Sequence, residues 1–140
     1  MSEDTDHIQL VWDRECAGTA QAESGCSLSV GPGGEWTPEQ LLVAAAESSL
    51  MTIFLRLADE QGLGVLGYVS SAGAAFDPDT PVRMSIVVRP CIVIGRQEER
   101  EPVERLLARA VEVSPVARAL KDALRIDAEV IVVASAAATT

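Results

Sequence analysis

Apolar and polar positions alternate in twos at the start of the chain. Residues 7–13 ("HIQLVWD") set Ile8, Leu10 and Trp12 against polar neighbours, and short small-residue runs follow at 16–22 and 27–30 before "GPGG". A period of two is the signature of a strand with one covered face, so these runs predict two or three strands of a meander. At "WTPEQLL" the rhythm changes. Thr37 stands as N-cap, Pro38 at the first helical position and Gln40 where a capping box needs it, with Trp36 placed to staple onto Leu41. The spacing predicts a helix over 38–61, with Gly62 as its stop. Residues 63–76 and 82–94 are rich in β-branched and alternating positions around "DPDTP", which predicts two longer strands joined by a turn. From Glu98 onward Val103, Leu106, Leu107, Ala110 and Val111 recur at helical spacing, with Glu101, Arg105, Arg109 and Glu112 on the outer side. "VSPVARALKDAL" restarts the helix, with Ser114 as cap and Pro115 at the first position, so a break between two helices is expected there. "IDAEVIVVA" closes the pattern as a strand.

Strands, long helix, strands, two helices and a strand in that order predict an α+β fold. No repeat or long linker divides the chain, so one domain is expected over 1–140, with loose ends at 1–6 and 135–140. The long helix raises two questions. "LLVAAAESSLMTIFL" is apolar on nearly all sides and must be covered all round, which one small sheet cannot do, so a second subunit is expected. Glu47, Ser48 and Ser49 interrupt it, although a buried hydroxyl without a partner costs about 1–3 kcal/mol. If Glu47 is buried, Arg83, Arg89 or Arg118 could neutralise it, leaving a small polar site with the Ser48 and Ser49 hydroxyls.

Composition narrows the function classes. The 140 residues are 48% hydrophobic, enough for a core, and eleven basic against twenty-one acidic residues give a net charge of -10. That charge repels phosphate backbones and anionic bilayers, so neither nucleic acid nor membrane is expected as a partner. The acidic start "MSEDTD", and the expectation that no apolar run reaches the length of a membrane span, point to a cytoplasmic protein. Cys16, Cys26 and Cys91 are an odd number without a CxxC, which argues against a disulfide framework, although Cys16 and Cys26 fall in adjacent strands and could pair. A single histidine, His7, gives a metal site or a Ser/His/Asp triad almost nothing to work with; no metal or cofactor is expected.

"TPEQLLVAAAESSLMTIFLRLADEQGL", then "VRMSIVVRP", then "LLARAVEVSPVARAL", resemble the OsmC/Ohr family of osmotically inducible and organic hydroperoxide resistance proteins, over residues 34–133 and in the same order. The resemblance implies an antiparallel sheet packed on long central helices in an intertwined homodimer. It also implies a peroxidatic cysteine in the middle of the first long helix and a resolving cysteine just before the later Pro-Val. Those positions fall on Ser49 and Ser114. Reducing a peroxide needs a thiolate that becomes a sulfenic acid and then condenses with a second thiol, and a serine alcohol has no such chemistry. The serines can be natural replacements, engineered changes made to trap a ligand, or ordinary helix serines; Ser114 is also a good N-cap.

By the same resemblance Glu39 matches the glutamate that the hydroperoxide-reducing branch pairs with an arginine, for which Arg14 is the nearest candidate. The plain alternative for Glu39 is a carboxylate favoured in a first helical turn. The expected function is therefore that of an OsmC-like relative of the thiol-dependent hydroperoxide reductases, without peroxidase activity. It would bind or sense a small apolar molecule in a pocket of Glu39, Glu47, Ser48, Ser49, Ser114 and Arg14. The alternatives are a hydroperoxide reductase using a relocated cysteine, Cys91 or Cys16, and a structural partner of another OsmC-like subunit.

Overall fold

A computed structural model describes residues 6–32, 35–77, 79 and 84–133. The loose ends expected at 1–6 and 135–140 lie, Asp6 apart, outside those residues, as do Arg83 and most of the "DPDTP" turn. The chain forms two compact units, Met1–Leu42 and Val43–Thr140.

The first unit is the expected meander: β1 (Ile8–Arg14), β2 (Ala17–Ala22) and β3 (Ser27–Val30), antiparallel in that order. Its register, with Gly18 opposite Val30 and Gln21 opposite Ser27, puts Cys16 and Cys26 at opposite ends of the β2–β3 hairpin. Both are free thiols, and the pairing left open by the sequence is ruled out by a strand's length between them. The start of α1 (Pro38–Glu60) belongs here too, and its capping box is complete: Gln40 N–H donates to Thr37 Oγ1 at 3.1 Å, and Thr37 N–H donates to Gln40 Oε1 at 3.0 Å.

The second unit holds the rest of α1, then β4 (Val65–Phe76), β5 (Met84–Ile94), a single 3₁₀ turn Gln97–Glu99, α2 (Arg100–Val113), α3 (Pro115–Ala119), β6 (Leu124–Ile126) and β7 (Glu129–Val132). Gly62, at φ 68°, ends α1 as predicted, with Leu63 N–H reaching back to the Ala58 carbonyl. Along α1 the buried residues Ala46, Leu50, Phe54 and Ala58 recur every four positions, while Ser48, Thr52, Arg56 and Asp59 form an exposed polar stripe. α2 buries Val103, Leu106, Leu107 and Ala110, the face its periodicity predicts.

β4 and β5 pair antiparallel along nearly their whole length. The expected antiparallel sheet is not antiparallel throughout, because β6 and β7 join the other edge of β5 in parallel. The final strand is also split, and Pro90 explains the break. Ile86 N–H, Val88 C=O and Ile94 C=O all bond toward β6, β7 and their flanking residues, so even-numbered backbone groups of β5 point that way. Pro90 has no N–H to offer there, and it falls in the gap between the Val88–Ile126 and Cys91–Glu129 pairs. The helix expected through "VARALKDAL" stops at Ala119 for a related reason: Leu124–Ile126 is taken as a strand by the Ile86–Val88 edge.

α1 also corrects one expectation. By length and composition it is apolar enough to cross a membrane. Its Phe54 ring packs against Tyr68 and its Ser49 bonds to a residue far along the chain, as in the core helix of a folded domain.

Candidate functional site

Ser49 and Ser114, 65 positions apart in sequence, meet in a hydrogen bond of 2.6 Å between their hydroxyl oxygens. Ser114 is fully buried and Ser49 half-buried. Every polar group of Ser114 is used. Its N–H donates to the Ala110 carbonyl at the end of α2, and its carbonyl accepts from Arg118 N–H. As N-cap of α3, its Oγ also accepts from Ala117 N–H at 3.1 Å, with Pro115 at the first helical position. The α2–α3 break that the sequence signals thus holds the Ser114 hydroxyl in a fixed direction, aimed at the middle of α1.

The other polar residues of the helix do not converge on this pair. Successive side chains on an α-helix fan out by about 100°. Ser48 is exposed and donates to the Ala45 carbonyl within its own helix. Glu47, half-buried, shares a stripe with Leu50 and Phe54 and lies near Tyr68 of β4. The Tyr68 phenol is pushed up to about 12, first by burial and then by the negative charge of Glu47. In the first unit, Glu39 sits exposed in the first turn of α1. Arg14 ends β1 and lines an open cleft of about 330 Å³ with Glu15, Cys16, Ala17, Pro32 and Glu35. Arg14 and Glu39 form no ion pair with each other; those among the described residues are Arg89–Asp127, Arg96–Glu98 and Arg109–Glu112.

Cys91 lies on the wrong face of the sheet to stand in for Ser49. Tyr68 is opposite Ile92 and Ser70 opposite Pro90 on the covered face, whereas Cys91 is opposite Val69, which is 72% exposed. Its thiol faces Glu129 at 3.8 Å. No cluster of three or more histidines, cysteines or carboxylates suited to a metal exists among the described residues.

Two polar side chains escaped the sequence reading: Tyr68 Oη and Ser70 Oγ are buried without a hydrogen-bond partner among the described residues. Their signal was available, since residues two apart on a strand share a face. Which face was covered was not legible from β4 alone.

The chain matches the family model described as OsmC-like protein over residues 31–129. No curated protein matches it. Among solved structures, an OsmC-like protein from Mycoplasma pneumoniae superposes with a TM-score of 0.79 at 12% identity, covering 94% of this chain and 99% of that one. An OsmC-like protein of unknown function from Vibrio cholerae gives 0.75 at 22%, covering 94% and 100%. The organic hydroperoxide resistance protein OhrB of Bacillus subtilis gives 0.64 at 18%, covering 90% and 97%. At these identities the likeness is one of fold, and the family match rests on the sequence model. With the α+β architecture in place and the family model matched over most of its length, this chain belongs to the OsmC-like family, which is related to the organic hydroperoxide resistance proteins.

Proposed function

We propose that this OsmC-like chain does not reduce peroxides and instead binds or senses a small apolar molecule, as a cytoplasmic homodimer. One observation carries the reading: where the family resemblance places two reacting cysteines, two serine hydroxyls are hydrogen-bonded to each other at 2.6 Å. The contact a disulfide would need is present, and the sulfur is not. An alcohol is not ionised at neutral pH and cannot take oxygen from a hydroperoxide as a thiolate does. Relocation of the chemistry to Cys91 gains no support, because that thiol lies on the sheet face away from Phe54 and α1. The homodimer is favoured by apolar surface that one chain leaves open. Ile8, Leu10 and Trp12, all on one face of β1, are 62%, 67% and 74% exposed.

The test is to incubate the protein with cumene hydroperoxide and a dithiol, follow peroxide loss and weigh the intact chain. No turnover and an unchanged mass are expected. Turnover with oxygen added to Cys91 or Cys16 would overturn the reading. Native mass spectrometry of the purified protein reports any retained apolar molecule, and light scattering should give twice the 14.8 kDa of one chain.

A further inference from the structure

We draw no further inference here: the strongest candidate, the open cleft of about 650 Å³ where Phe76, Asp77, Met84 and Asp122 meet at the end of the β4–β5 hairpin, rests on an exposed acidic cluster, and nothing in the structure shows what fills it.

Discussion

Two pairs of hydroxyls lie within the same half of this molecule, and they stand in opposite conditions. Ser49 and Ser114 satisfy each other, and Ser114 is further fixed by Ala117 N–H. The Tyr68 and Ser70 oxygens are also shut off from solvent and have no hydrogen-bond partner among the described residues. Burial is therefore not what distinguishes a satisfied polar contact from an unsatisfied one. The distinction is whether the fold supplies the partner. The serine pair is closed because a helix cap aims one hydroxyl at another. The Tyr68–Ser70 pair is open because its neighbours across the sheet are Pro90 and Ile92.

That contrast can be broken or sharpened by substitution. The largest effect is expected from Ser49→Cys with Ser114→Cys. Side-chain oxygens 2.6 Å apart leave two sulfurs within easy reach of a disulfide, so the double variant should gain dithiol-dependent reduction of cumene hydroperoxide from a background of none. The single Ser49→Cys should stop at a sulfenic acid, seen as one added oxygen by mass spectrometry. A double variant that forms no disulfide would mean the serine contact is not a relic of the thiol site.

Stability should then separate the two pairs. Ser114→Ala removes a cap and strands the Ser49 hydroxyl, for an expected loss of about 2 kcal/mol in urea unfolding. Ser49→Ala leaves Ser114 its bond to Ala117 N–H and should cost about 1 kcal/mol. Tyr68→Phe should have the opposite sign, a gain of about 1 kcal/mol, since it deletes a hydroxyl with no partner among the described residues. A loss at Tyr68→Phe would show that the phenol is already bonded, for instance to trapped water.

The smallest effect is one of pH. Folding raises the Tyr68 phenol from 10.0 to about 12, so the folded protein keeps a proton that the unfolded chain has released. The associated stability is complete below pH 10 and falls as pH rises toward about 12. Tyr68→Phe should lack that alkaline limb, and Glu47→Gln should move the phenol's ultraviolet titration to lower pH, by less than relief of burial would.

Much of the fold was legible residue by residue. The Thr37/Gln40 box, the Gly62 stop and the Ser114–Pro115 restart all stand where local hydrogen bonding predicts them. Where sequence reasoning missed, a distant strand had decided. β6 was drawn out of the end of a helix pattern by the edge of β5, and its parallel direction depended on the path of the chain through α2 and α3. Of the six residues expected in one pocket, Glu47, Ser48 and Ser49 are neighbours in sequence, and the turn of the helix points those three different ways.

The sequence by itself determined the order of the elements as far as α3, the caps, the acidic charge and the serines at 49 and 114, because each follows from residue identity and short-range geometry. Only the tertiary structure decided that Ser49 meets Ser114, that Cys91 faces away, and that Tyr68 and Ser70 find no partner among the described residues. Those facts depend on which strand face a helix covers and on the register of β4 against β5. Such pairings join residues far apart in sequence and are selected by the packing of the whole core.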